Sequence, residues 1–314
     1  MKTTIYAGTY AEDGSEGLYV FDFEEGRLSP ARALCPIRNT KYLTVTEYGI
    51  AALCDLEGRS GAALVDFQGR VLSQAAYEGC TSCFVTVDQG VVYTANYHEG
   101  TVSRLALRDR TLEYRDTTLI REKAGCHQIL RWKDRILVPC LFLDQVRIFD
   151  SSMKPEGSIG FPLGTGPRHG VFSADGRRLY LVSELSNELF VISTGDWTVQ
   201  FRMSILPGGM THRKDTAAVR LSGDERRLYV STRTLDLLSV VDLDGDTPRL
   251  IQTISCGGQH PRDFILLGNW LLAANRFSGT VVSFALNGDG TIGEKIGEAD
   301  IPGVVCLAVR QTAV

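Results

Sequence analysis

Apolar and polar positions alternate along this chain in short runs, and the runs recur in one order. Residues 177–193, RRLYLVSELSNELFVIS, hold a strand-like run, a polar break and a second strand-like run. Similar pairs occupy 5–23, 48–67, 91–107, 135–150, 226–242 and 270–286. Aligning Tyr93, Leu137, Tyr180, Tyr229 and Leu272 gives spacings of 44, 43, 49 and 43 residues. A period of about 40–50 residues with several strands per repeat is the sequence sign of a β-propeller.

A further strand is expected before each pair, often introduced by Gly-Pro or His-Pro, at 41–47, 80–88, 127–133, 167–174, 216–223, 261–267 and 303–310. The last of these, GVVCLAVR, has no partner strand after it, and the N-terminal IYAGTY has none before it. The two ends therefore complement each other, and their pairing removes two exposed sheet edges. Val, Leu, Tyr and Ile fill the strands, as buried sheet requires. Ala174-Asp-Gly176 and Asn287-Gly-Asp-Gly290 suit tight hairpin turns, and no helix is expected. The expectation is an all-β, seven-bladed β-propeller with four antiparallel strands per blade. Its N- and C-terminal strands pair, and residues 1–314 form one domain.

Composition narrows the partners. With 44% hydrophobic and 22% charged residues the chain is ordinary for a soluble globular protein. A net charge of −4 argues against nucleic acid and membrane surfaces. MKTTIYAGTY lacks the apolar run of a signal peptide and no later stretch could span a bilayer, so a cytoplasmic protein is expected. No obligate protein partner is signalled. The eight cysteines are scattered, which favours free thiols. Cys80-Thr-Ser-Cys83 is a lone CxxC in a strand-like stretch, with no second pair to complete a zinc site.

In an up-and-down blade, the start of the first strand and the end of the second lie at the same end of the sheet. Polar residues concentrate at those places: His127, Arg168, His169, His260 and Arg262 at first-strand starts, and Asn96, Glu184, Arg233, Asn275 and Arg276 at second-strand ends. Arginines gathered there would draw an anionic ligand and clamp carboxylate or phosphate oxygens. His and Glu supply acid–base chemistry near neutral pH. The competing reading for each is a contact that only satisfies backbone groups between blades. The five histidines, His98, His127, His169, His212 and His260, show no metal-binding spacing, and no cofactor is indicated. Asp242-Leu-Asp-Gly-Asp246 lacks the later Glu of a calcium loop and reads as a solvated turn. Arg177-Arg178 and Arg226-Arg227 flank hairpin turns and are expected in solvent.

Several stretches carry a family resemblance: Cys126-His127, LVPCLFLDQVRIF (137–149), GPRHGVFSADGRRLYLVSELS (166–186), AAVRLSGDERRLYVSTR (217–233) and HPRDFILLGNWLLAANRFSGTVVSF (260–284). YAGTY (6–10) and TANYHEGTV (94–102) add to them. Over essentially its whole length the chain resembles the lactonase family of seven-bladed propellers, the bacterial 6-phosphogluconolactonases. That family is similar to fungal enzymes that cyclise carboxymuconate. The resemblance implies a catalytic set of His127, Arg168, Glu184 and Arg233; His169, Arg262, Asn96, Asn275 and Arg276, which share the strand-end positions, are expected to bind substrate. It also implies a small anionic sugar lactone as partner and hydrolysis of 6-phosphogluconolactone as the reaction. Other lactone enzymes, a lactonising cycloisomerase and a non-catalytic binding propeller remain as alternatives. The chain departs from the family at Val219, where an acid is common, at Thr232, where Asn is common, and around CDLEGRSG (54–61).

Overall fold

The computed structural model describes residues 2–210, 214–245 and 247–310. They form seven antiparallel sheets. In the first, Val304–Val309 lies beside Thr3–Thr9, which pairs Leu18–Glu24, and the outermost place is shared by Arg27–Leu28 and Arg32–Cys35. The other six are four-stranded and use consecutive strands in sequence order. The seven sheets are the blades that the repeat period predicts. Leu307 opposite Ala7 and Val309 opposite Ile5 fix the register of the terminal pairing. Among the described residues the helical turns are two 3-10 turns, Ala11–Asp13 and Leu141–Leu143, and no helix is long and apolar enough to cross a membrane.

The first strands, Pro261–Leu267 excepted, are shorter than the sequence suggests. Phe84–Asp88 replaces 80–88, and Leu130–Trp132 replaces 127–133. The omitted residues, Cys80 to Cys83 and His127 to Ile129, enter the sheet as irregular chain. The CxxC is therefore not on a strand.

The chain divides into two compact units, one of Met1–Ile129, Ala274–Val281 and Gly297–Val314, the other of Leu130–Ala273 and Val282–Ile296. In the first unit, Tyr6, Leu18, Ile50, Ala52, Val65 and Cys306 pack one core cluster, and Leu53, Leu64, Val85, Val92 and Leu105 another. In the second, apolar side chains from adjacent sheets interleave in the same way. Leu137 and Val146 meet Leu181 and Phe190; Val182 and Val191 meet Val219 and Val230; Leu238 and Val240 meet Phe264 and Leu271. The sheets that begin at Pro167 and Thr216 thus have both faces buried, which explains runs such as Leu-Tyr-Leu-Val in place of strict alternation.

One turn recurs between the second and third strands. In the second unit Asp144, Asn187 and Asp236 hold it with φ of 50°, 53° and 55°. Their carbonyls accept the N–H groups of Phe161, Ile205 and Cys256 at 2.9, 3.0 and 2.8 Å. Their side chains reach the start of the next sheet. Asp144 accepts from Gly164 N and Gly166 N, Asn187 Nδ2 donates to Thr216 Oγ1, and Asp236 accepts from His260 N. Asn and Asp tolerate this left-handed conformation and carry the polar group the latch needs. In the first unit Gly100 and Gly279 hold the same turn, accepting from Ile120 N and Ile301 N.

All eight cysteines are free thiols, seven of them buried. Burial pushes the Cys54 thiol up to about 12 and Cys256 up to about 11, so neither is a nucleophile at neutral pH. The expected solvated turn fails at Asp242, which is buried, whereas the Asp244 side chain and Gly245 keep their exposure. Asp242 takes Arg227 Nη1 at 2.7 Å on one oxygen and Arg249 Nη2 at 2.7 Å on the other. Arg227 is accordingly shielded rather than solvated, and its Nε donates to Asp289 O. Its neighbour Arg226 is exposed as expected, as is Arg177. Asp246 lies outside the described residues.

Candidate active site

Two backbone irregularities build a polar cluster in the second unit. In the pair of Pro167–Phe172 with Arg178–Ser183, Pro167 faces Ser183 and His169 faces Val182, so Arg168 is an extra residue in a β-bulge. In the next sheet Thr216 faces Thr232 and Val219 faces Val230, which leaves Ala217 and Ala218 out of register. A bulge turns a side chain out of the alternation and frees backbone groups from the ladder. Both effects are used here: Arg168 Nη1 donates to Ala217 O at 2.5 Å.

Arg168 is 1% exposed. Its Nε donates to Glu184 Oε2 at 2.7 Å, and Arg233 Nη2 reaches the same oxygen at 3.0 Å. Arg233 is 8% exposed. Its Nε donates to Asp215 O and its Nη2 to Asp215 Oδ1, both at 3.2 Å. Glu184 and Arg233 occupy equivalent places just past the second strand of adjacent blades. Their backbone N–H groups donate to the carbonyls of Gly166 and Asp215 at 2.8 and 3.0 Å. Three of the four residues that the family resemblance names are therefore in mutual contact. Among the described residues, two atoms of this cluster make no hydrogen bond: Glu184 Oε1, an acceptor, and Arg233 Nη1, a donor. Formal charges balance, with Arg168 and Arg233 against Glu184 and Asp215.

His169 is buried beside the Arg168 bulge, and Arg262 is half-buried on Pro261–Leu267. The neighbour of Arg262, Asp263, is buried and takes Arg220 Nη2 at 2.6 Å. Val219, at the place where the family often has an acid, packs among Val191, Val230 and Val241. His212 lies outside the described residues.

In the first unit, His127 is buried, with the Tyr97 ring edge-on at 5.8 Å. The Cys83 thiol contacts the Cys126 carbonyl at 3.3 Å and the His127 carbonyl at 3.8 Å, which ties the irregular chain before Leu130 to the preceding sheet. Asn96 acts on the backbone. Its Nδ2 donates to Cys80 O at 2.7 Å and to Glu78, and its Oδ1 accepts from His98 N and Glu99 N. Arg276 Nε and Nη2 bind Asp13 at 2.7 Å and Glu12 at 2.8 Å, and the guanidinium lies 3.9 Å from the centre of the Tyr10 ring. Asn275 is fully buried on Trp270–Asn275.

Two acids with a place in these clusters carry no mark in the sequence. Asp215 sits in Arg-Lys-Asp-Thr, where nothing in the pattern distinguishes it from a solvated turn. Its place just before a first strand, beside Arg233 one strand later, is the signal that could have found it. Glu78 ends Val71–Glu78, an outermost strand whose other residues are exposed or half-buried, so nothing in the sequence marks Glu78 as buried.

Residues 4–309 match the family described as lactonase, 7-bladed beta-propeller. The chain belongs to that family. It is 26% identical to a 6-phosphogluconolactonase of Bacillus subtilis strain 168, over 89% of this chain and 90% of the relative. Among solved structures it is similar to a protein from Lactobacillus plantarum, with a TM-score of 0.91, 26% identity, and 99% and 100% of the two chains covered. A periplasmic gluconolactonase of Pseudomonas aeruginosa shares the fold, with a TM-score of 0.87, 23% identity, and 100% of each chain covered.

Proposed function

We propose that the protein hydrolyses a sugar-acid lactone, and that the particular reaction is the opening of 6-phosphogluconolactone to 6-phosphogluconate. Family membership and the name of the Bacillus relative support the reaction class. The single observation that carries the chemistry is the pair of unengaged atoms on one buried cluster, the acceptor Glu184 Oε1 and the donor Arg233 Nη1.

Lactone hydrolysis needs both. Water must lose a proton as it attacks the ring carbonyl, and negative charge then grows on the carbonyl oxygen. Glu184, anchored through Oε2 by two guanidiniums, offers Oε1 to the water as general base, and the same proton passes to the ring oxygen when the tetrahedral intermediate collapses and the ring C–O bond breaks. Arg233, anchored through Nε and Nη2, offers Nη1 to the developing oxyanion. Donors fixed before the reaction stabilise that charge without reorganising during it. Arg168 holds Glu184 in place. The family resemblance also names His127, which belongs to the other unit, in the catalytic set.

Because the four described residues Arg168, Arg233, Glu184 and Asp215 balance in charge, they carry no excess positive charge for a phosphate dianion. The phosphate of 6-phosphogluconolactone would then be held elsewhere, and Arg262 and His169 are the expected holders. Substitution separates the roles. Arg233→Ala should lower kcat about 10²- to 10³-fold on phosphorylated and unphosphorylated gluconolactone alike, as loss of an oxyanion donor does. Arg262→Ala should raise KM for the phosphorylated lactone and leave the unphosphorylated one unchanged. If Arg233→Ala impaired only the phosphorylated substrate, Arg233 would be the phosphate holder and the assignment would fail.

A further inference from the structure

Asp215 is an acid in a backbone conformation that ordinary side chains avoid. Its φ is 102°, and the equivalent residue of the preceding blade is Gly166, with φ of 63°. A glycine reaches that region without cost, whereas a residue with a Cβ is strained by about 1–3 kcal/mol unless its surroundings hold it there. The surroundings here are the site itself. Asp215 N donates to Glu184 O at 2.7 Å, and Asp215 O accepts from Arg233 N at 3.0 Å and from Arg233 Nε at 3.2 Å. On the carboxylate, Oδ1 accepts from Arg233 Nη2 at 3.2 Å, and Oδ2 accepts from the Thr234 hydroxyl. Gly166 makes the same kind of backbone bond to Glu184 without a side chain, so the backbone role does not require an acid. What the acid adds is its grip on one guanidinium.

We propose that Asp215 is the positioning residue of Arg233. A guanidinium is planar and rigid, so fixing Nε and Nη2 fixes the direction of Nη1. Asp215 supplies acceptors to both of those nitrogens, and Glu184 Oε2 supplies the third. The carboxylate also neutralises the second arginine of a cluster that Glu184 alone would leave positive. The arrangement thereby suits a carbonyl oxygen that becomes charged only during the reaction, rather than a ligand that is anionic throughout. This inference rests on the lactonase reading for its catalytic consequence and on geometry alone for the positioning.

Asp215→Gly tests it, because glycine accepts the backbone conformation and removes only the carboxylate. Kinetics on the lactone substrate and NMR of arginine-labelled protein give two independent readouts. The expected result is a kcat about 10²-fold lower with KM little changed, the scale of a displaced catalytic group. The Arg233 Hη resonances, resolved in the wild type by restricted rotation, should average in the variant, while Tm is unchanged or higher. Asp215→Asn, which keeps an Oδ1 acceptor and tolerates positive φ, should recover part of the rate. Wild-type kcat in Asp215→Gly, or Hη resonances that stay resolved without the carboxylate, would overturn the proposal. If the wild-type protein opens no lactone, the lactonase reading fails, and the NMR result alone then upholds or overturns the positioning role.

Discussion

Glu78 shows how a single buried group can set a pH dependence. It is 2% exposed. Its carboxyl is approached by the Ser82 hydroxyl at 2.8 and 2.7 Å, by Thr94 Oγ1 at 3.3 Å and by Asn96 Nδ2. Among the described residues no cation pairs with it. Burial raises its pKa above the usual carboxylate range, and the nearby Glu99 charge adds to the shift, while the hydrogen bonds partly offset it. The folded state then holds the proton more tightly than the unfolded chain. Stability is fully present at pH below the unfolded value and falls as pH rises through the folded one. Glu78→Gln should therefore be more stable than wild type at pH 7–8 and lose the advantage near pH 4. Thermal melts across that range would show equal pH slopes for the two proteins if the idea is wrong. At the same scale, Arg168→Lys should lower kcat although the charge is kept. A lysine offers one ammonium where Arg168 serves Glu184 with Nε and Ala217 O with Nη1. Wild-type kcat in the Arg168→Lys variant would argue that Arg168 acts as charge alone.

At the scale of elements, the turns at Asp144, Asn187 and Asp236 each tie a blade of the second unit to the next. The Asp144 carboxylate satisfies Gly164 N at 2.9 Å and Gly166 N at 2.8 Å. Asp144→Gly keeps the positive φ and strips both acceptors, so it should cost about 1–3 kcal/mol, the usual worth of unsatisfied backbone donors. A change below a few tenths of a kcal/mol in urea unfolding would show that water replaces the carboxylate. The elements themselves were largely legible in the sequence, because strands of Val, Leu and Tyr between glycine turns repeat seven times. Pro261–Leu267 has the bounds expected of it. The bulges at Arg168 and at Ala217 and Ala218 were not legible, since an extra residue leaves the apolar pattern intact. Glu184, Arg168 and Arg233 were legible from the strand pattern only as members of a wider group of polar residues at strand ends, and the family resemblance alone implied that they form a set. Their pairing through one oxygen was not, because it depends on those bulges. Arg276 fell in the same pattern, yet two acids from the 3-10 turn Ala11–Asp13 occupy it.

At the scale of the whole molecule, the pairing of Thr3–Thr9 with Val304–Val309 joins the two ends of the chain. We propose that residues 1–314 unfold as one domain held by this contact. Deleting residues 303–314 leaves Thr3–Thr9 as an open edge and removes Cys306 from its core cluster. The truncated protein should lose its single cooperative transition or melt at least ten degrees lower, about what a loss of several kcal/mol produces in a chain of this size. An unchanged melting curve would contradict closure by the terminal strands.

We propose that the Arg168–Glu184–Arg233 cluster opens a lactone ring, with Glu184 receiving the proton of the attacking water. The rate of 6-phosphogluconolactone opening by wild-type protein and by Glu184→Gln, each corrected for spontaneous hydrolysis, tests it most directly. The substituted amide keeps an oxygen for the two guanidiniums and loses the basic one. The account predicts clear acceleration by the wild type and a fall of about 10²- to 10⁴-fold in Glu184→Gln. A wild-type rate no greater than the spontaneous one, or a Glu184→Gln variant as fast as wild type, would contradict it.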